Sequence, residues 1–482
     1  MTLSRIDEEL SSDETEETQP LLYPEKKWSS VSNELSIVLL NAMPLTVTFL
    51  LQGSIPSMPL LFVGRLDALQ LGGVAIANVT FTVSVAVFLG LTTSLDTLCP
   101  QAFGARQYKL VGLYLQRCVI LAFAIAIPMI LAWVYSGCIL IHFIDNPEIV
   151  KIASSYLRLM TFSLPGFIIF ECGKRYFQSM NNFTKGQYIL FICAPFNAVL
   201  GYVMILRFQL GYVGACCSLI FTYNLMGLIM AISIYFCHID MKRNTPDLDC
   251  WHEVSSKVFD GWSTMIELSL PGIIMVESEF FAFEFTSILA ARFGTTVLAA
   301  QSIASTVESL TFQIPFSVGV AASNRIAFHI GQGNIRNCKT AVGCTLVYIG
   351  TVLCLLNFSL LTFGRYVIAK LFTSDPEVIS STVPLISIIA VNQFWDIFNV
   401  FGAACLRAQG RQRIGGCFSL IAYYVIGLPL GVYLGFKKHL GARGFWIGIG
   451  TGIFFLSITE LMCVYRSNWT KILQTAKKMH NY

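Results

Sequence analysis

Charge is what this chain has least of. Only 12% of its 482 residues are Asp, Glu, Lys or Arg, about half the share of an ordinary soluble domain. With a mean hydropathy of +0.65, that excludes a large soluble protein. The net charge of +4 supplies no basic surface for nucleic acid. There is no HExxH, GxSxG or phosphate-loop motif, and His142 and His329 are too isolated to build a metal or nucleophile constellation. Enzyme activity and a cofactor are therefore not expected. The 15 cysteines show no CxxC or framework spacing. Cys118, Cys193, Cys216, Cys217, Cys354 and Cys463 lie inside apolar runs and read as small packing residues. A cleavable signal peptide is absent, because residues 1–33 are polar.

What is present is a series of long apolar runs. Twelve reach membrane-spanning length, roughly 35–62, 71–92, 113–136, 152–172, 187–206, 212–236, 264–290, 297–322, 340–363, 380–403, 415–435 and 443–464. The expected fold is an all-α polytopic membrane protein. Residues 1–33 read as a disordered cytosolic tail and 34–236 as a first six-helix lobe. A polar cytosolic linker, 237–263, precedes the second lobe at 264–465, and 466–482 form a cytosolic tail. Glu17, Leu21 and Leu22 fit an acidic dileucine sorting pattern, which a sorting adaptor would read and which favours a vacuolar or endolysosomal membrane over the plasma membrane.

Basic residues set the orientation. With both termini cytosolic, twenty-one Lys and Arg, including Lys174, Arg175, Arg325 and Arg407, fall in the tails and inner loops, against nine in outer loops.

The halves repeat. LGGVAIANV at Leu71 answers LAAQSIASTV at Leu298, and Gly104 answers Gly331 at the same offset of 227. Gly211 and Gly214 answer Gly441 and Gly444 at 230, and Gln178 parallels Gln409. Duplicated six-helix halves are a transporter signature, with the site near the midplane at their interface.

Span seven carries Glu277, Glu279 and Glu284. Each such charge costs about 2.5–3.5 kcal/mol at a bilayer centre and marks a functional site. Glu277 and Glu279 stand about 200° apart on a helix, so an unbroken helix cannot turn both to one cavity.

Several motifs carry a family resemblance. SLDTLCPQAFGA from Ser94, VAASNR from Val320 and GQGN from Gly331 resemble signatures of multidrug and toxic compound extrusion (MATE) transporters. So do Pro165-Gly166, LRAQG from Leu406 and GLPLG from Gly427. The resemblance covers about residues 34–465, with tails and span eight similar to the fungal branch of the eukaryotic members.

The resemblance implies twelve helices in two lobes forming a V-shaped antiporter, a monomer. It would export an organic, typically cationic or xenobiotic, solute from the cytosol in exchange for H+, with Na+ the other coupling ion. A lipid-linked precursor flippase of the same superfold and a Na+-coupled metabolite exporter are the alternatives. Glu279 and Glu284 match the family's glutamate pair in span seven, and Asp396 its acidic position in span ten. Burial favours the protonated form of a carboxyl group, so such a group can hold a proton until an organic cation displaces it. Phe280, Phe281, Phe283 and Trp395 stand beside these acids as cation-stacking candidates. Animal members carry a glutamate near Thr306, and this chain has Glu308 two residues on. Gln301, Glu277, Gln52 and Asn78 complete the candidate cavity lining, while Asp96 is expected to stabilise the inner gate.

Overall fold

The computed structural model describes residues 29–142, 144 and 146–480; the sorting pattern at Glu17, Leu21 and Leu22 lies outside them. Twelve long helical stretches follow one another: α1 (Val31–Val63), α2 (Ala68–Gly104), α3 (Tyr108–Val134), α4 (Pro147–Ser179), α5 (Thr184–Arg207) and α6 (Gly211–Asn244) in the first half. The second half holds α7 (Trp262–Ala290), α8 (Thr295–Gly331), α9 (Ile335–Phe372), α10 (Pro376–Ala408), α11 (Gln412–Lys437) and α12 (Ala442–Tyr465). Ten of them are apolar enough to cross a bilayer on composition alone. The other two, α7 and α8, are the ones diluted by Glu277, Glu279, Glu284, Gln301 and Glu308.

Five of these twelve stretches start where a short polar side chain meets an orphan amide. Ser30 caps α1 through the Asn33 amide (3.2 Å) and Asp67 caps α2 through that of Leu69 (3.2 Å). Asn146 and Asp375 cap α4 and α10 in the same way, each followed by a proline whose missing N–H costs nothing there.

Backbone geometry displays the duplication more plainly than residue identity does. Among the described residues, eight of the ten with positive φ fall in pairs: Arg106 with Gly333 at an offset of 227, Asn181 with Gly410 at 229, and Gln209 and Gly211 with His439 and Gly441 at 230. The pair at 229 corrects one register. Structurally Gln178 corresponds to Arg407, not to Gln409.

The two lobes meet at one end. Among the described residues, the inter-lobe hydrogen bonds all lie there. Thr97 Oγ1 donates to the Arg407 carbonyl (2.6 Å), Gln101 Nε2 to that of Ala408 (2.8 Å), and Gln412 Nε2 to Thr97 Oγ1 (2.9 Å). Glu34 of α1 receives Arg325 of α8 through both carboxylate oxygens, 2.8 Å each, and His329 Nε2 lies 3.1 Å away. The deepest bond joins Ser269 of α7 to the Leu91 carbonyl (3.2 Å).

The 466–482 tail carries a further helix, α13 (Trp469–His480). Its apolar side, Ile472 and Ala476 with Trp469 and Leu473, packs on Ile326, Ile330 and Leu406 of the second lobe. Its last residue reaches the first lobe, where His480 meets the Tyr114 hydroxyl (2.9 Å) and Gln101 Oε1 (3.3 Å).

Candidate functional site

The three acids of α7 divide by helix geometry. At about 100° per residue, Glu277 and Glu284 lie roughly 20° apart, while Glu279 stands some 140–160° from both. The helix runs unbroken through Pro271, so this division holds. Glu277 and Glu284 border a ridge of exposed apolar side chains, Leu270, Phe281 and Ile288. Glu277 has Tyr424 as its titratable neighbour, and neither of its oxygens has a hydrogen-bond partner. Glu279 alone turns to the interior of the second lobe.

There it joins Glu308 of α8 and Asp396 of α10. Glu308 and Asp396 are in carboxyl-to-carboxyl contact, and Glu279 is within electrostatic reach of both. Asp396 is 3% exposed; Glu279 and Glu308 are half-buried. Gln393 Nε2 donates to both oxygens of Glu308, 3.2 Å each, and is itself oriented by Asn357 Nδ2, which donates to Gln393 Oε1 at 2.8 Å. Asn399 flanks Asp396 from one turn on. An ionised carboxylate only accepts hydrogen bonds, so two carboxyl groups in contact need one proton between them. The acids converge inside the second lobe. Glu284, the other member of the family-matched pair, stands apart from this group, five residues, about 7.5 Å of helical rise and over a third of a turn from Glu279.

The first lobe solves the same problem oppositely. At the offset of 227, Gln52 corresponds to Glu279 and Pro44 to Pro271. Gln52 Nε2 donates to Glu171 Oε1 (2.7 Å), and Lys174 Nζ donates to both Glu171 Oε1 (2.9 Å) and Gln52 Oε1 (3.0 Å). Asp96 lies 3.0 Å from the Arg175 guanidinium. Every one of these charges is at least 96% buried. Lys174 and Arg175 are therefore not loop residues but buried partners within α4, and Arg325 and Arg407 likewise sit in helices. Buried carboxylates in the first lobe already have a cation; Glu308 and Asp396 have each other.

Comparison with known proteins fits this arrangement. The MatE family model matches residues 44–203 and 271–433, about two thirds of the chain. The chain belongs to the MatE family. An uncharacterized transporter of Saccharomyces cerevisiae is 34% identical over 92% of the chain, which spans 63% of that relative's length. Multidrug and toxin extrusion protein 1 of Xenopus tropicalis is 30% identical, over 95% of this chain and 78% of its own. The crystal structure of the eukaryotic MATE transporter AtDTX14 superposes with a TM-score of 0.84 at 25% identity, covering 93% of this chain and 98% of that one. The protein is thus an integral multi-pass membrane transporter with the twelve-helix MATE fold, and MATE family members are transporters rather than enzymes.

Within this MATE fold the remaining candidates take varied places. Gln301 is 1% exposed and spent on packing: its Oε1 accepts from Trp446 Nε1 (2.8 Å) and its Nε2 donates to Ser305 (3.4 Å). Phe283 packs against Trp446 at 5.8 Å between ring centres, and Phe280 is half-buried. Trp395 is 36% exposed and meets the Phe454 ring edge-to-face at 4.5 Å, so it does not share a face with the buried Asp396. Asn78 is half-buried, with an inaccessible and unpartnered side-chain oxygen. Buried charges that escaped the sequence reading include Glu171 and Lys174, together with Arg175, Glu34, Arg407 and Glu460 of α12. The first two carried a signal, an acid and a base three residues apart in one apolar run, which places them on one helix face.

Proposed function

We propose that this MATE transporter is a proton-coupled antiporter that exports organic, typically cationic, solutes, and that Glu279, Glu308 and Asp396 hold the exchanged proton. The observation that carries the reading is the contrast between the lobes. In the first lobe Glu171 and Asp96 face Lys174 and Arg175; in the second, Glu308 faces Asp396 with no basic side chain in contact. A site with carboxyl groups in contact needs a positive charge brought to it. A proton satisfies it in one state and an organic cation in the other, and competition between them is antiport. The Xenopus relative is a multidrug and toxin extrusion protein by name, which supports an organic solute moving outward.

The closed end carries Glu34, Gln101 and both chain ends of the described fold. Removing Lys174, Arg175, Arg325 and Arg407 from the twenty-one inner basic residues leaves the excess on that side. This supports a cytosolic placement of that end, hence a cleft open to the opposite side, and Glu17, Leu21 and Leu22 support a vacuolar or endolysosomal membrane.

The test is transport by purified protein in sealed vesicles against a panel of organic cations, driven by an imposed pH or Na+ gradient. The reading expects solute movement under the pH gradient alone. Movement driven only by Na+ would overturn the coupling, and no movement of any cation would overturn the solute class.

A further inference from the structure

A fourth carboxyl group lies deeper in the second lobe. Glu460 of α12 is fully buried, and neither of its oxygens has a donor at full hydrogen-bonding geometry, the backbone N–H of Ala403 approaching the carboxyl group without reaching it. Glycines make its space. A Cβ on Gly402 of α10 would lie 3.0 Å from Glu460 Oε2, and one on Gly415 of α11 would lie 3.4 Å from Oε1. The titratable groups around it are Cys405 and Arg407 on α10, Glu279 on α7 and Tyr423 on α11. A carboxylate with no full hydrogen bond in such a place costs several kcal/mol, so the group must take up a proton or a counter-cation.

Arg407 is the one cation near it, and Arg407 stands on the lobe boundary. Its carbonyl accepts from Thr97 Oγ1 of the first lobe (2.6 Å). Its guanidinium is within electrostatic reach of Asp96 and the like-charged Arg175 of the first lobe and of Glu460 and Glu279 of the second. Its buried Nε has no hydrogen-bond partner.

We propose that Glu460 is a second proton-binding site, distinct from the Glu279–Glu308–Asp396 group, and that Arg407 ties its protonation to contact between the lobes. With Glu460 neutral, Asp96 has the stronger hold on Arg407, and the lobes stay joined at this end. When the Glu460 O–H bond breaks and the proton passes to water, the carboxylate left behind competes for Arg407 and weakens that contact. The inference rests on the antiport reading for its purpose, but the proton site itself does not.

The test is infrared difference spectroscopy of the purified full chain in lipid nanodiscs, stepped in pH without any solute, reading the C=O stretch of protonated carboxyl groups. Glu460→Gln is expected to remove one pH-dependent carboxyl band that Glu279→Gln leaves in place. Glu460→Asp should shift that band, which keeps the test alive if the Gln variant does not assemble. Arg407→Gln should change the pH profile of the same band, an effect that a merely space-filling Glu460 would not transmit. Spectra of Glu460→Gln and Glu460→Asp identical to those of the parent chain would overturn the proposal. Absence of pH-driven transport by the parent chain would instead overturn the antiport reading and leave the Glu460 band as it is.

Discussion

Gly104 of α2 and Gly331 of α8 occupy equivalent places in the two repeats, and each packs against the other's helix. A Cβ on Gly104 would collide with the carbonyl oxygen of Phe328; one on Gly331 would collide with that of Gln101. Phe328 and Gln101 are themselves 227 residues apart, the offset that relates the two glycines. The contact is therefore self-complementary, as at a two-fold interface between subunits, here built within one chain.

That crossing has no slack for a methyl group. Gly331→Ala is expected to destabilise the closed arrangement by about 1–3 kcal/mol, the usual cost of overpacking. Denaturant-induced unfolding of the variant in detergent measures it. An unchanged midpoint would show that the helices part more easily than their spacing implies.

The duplication, the twelve spans and the acidic character of span seven are legible in the sequence because each depends on local spacing. Gly104 and Gly331 announce the repeat by identity and offset alone. The grouping of acids is not legible in that way. Glu279 and Glu284 match the family's pair, whereas the 3.6-residue period of the unbroken helix puts Glu284 on the face of Glu277. Glu308 joins Asp396 only because α8 and α10 pack together, a tertiary fact that Thr306 and Glu308 do not disclose in sequence. Lys174 and Arg175 resemble loop cations until α4 is seen to continue to Ser179 and bury them.

Glu34 makes a charged link between the lobes through Arg325 and His329. Removing its carboxylate leaves Arg325 and His329 without their partner, which for a buried pair costs about 3–5 kcal/mol. Glu34→Gln should lower the unfolding free energy by that order. It should also raise the protease sensitivity of the Lys242–Lys257 linker, and a variant indistinguishable from the parent in both assays contradicts the assignment.

Lys174 and Glu171 are expected to matter as a pair. Lys174→Met alone leaves a buried uncompensated carboxylate and should cost about 3–5 kcal/mol, while Lys174→Met with Glu171→Gln should recover much of it. A double-mutant cycle in unfolding free energy measures the coupling. Strict additivity would mean that the pair is not the unit it looks to be.

Docking of α13 is expected to depend on pH. Burial holds the His480 imidazole at about 4, below its ordinary 6.5, so the docked helix favours the neutral ring. The released tail binds the proton more readily. Docking is therefore fully stable above about 6.5, and its stability falls steadily as the pH drops from there through 4. Hydrogen-exchange protection factors of residues 469–480, corrected for the intrinsic pH dependence of amide exchange, should be high at pH 7.5 and fall as the pH drops through that range. His480→Ala should remove the pH dependence, and a parent chain whose exchange protection is flat across it contradicts the contact with Tyr114 and Gln101.

The most direct measurement of the central claim is pH-gradient-driven uptake of an organic cation into vesicles by four proteins side by side: the parent chain, Glu279→Gln, Asp396→Asn and Glu284→Gln. With Glu279, Glu308 and Asp396 as the proton-holding group, the first two variants lose driven uptake by at least tenfold at normal protein level, and Glu284→Gln retains it. Driven uptake that survives Glu279→Gln and Asp396→Asn, or that fails only in Glu284→Gln, would contradict the account.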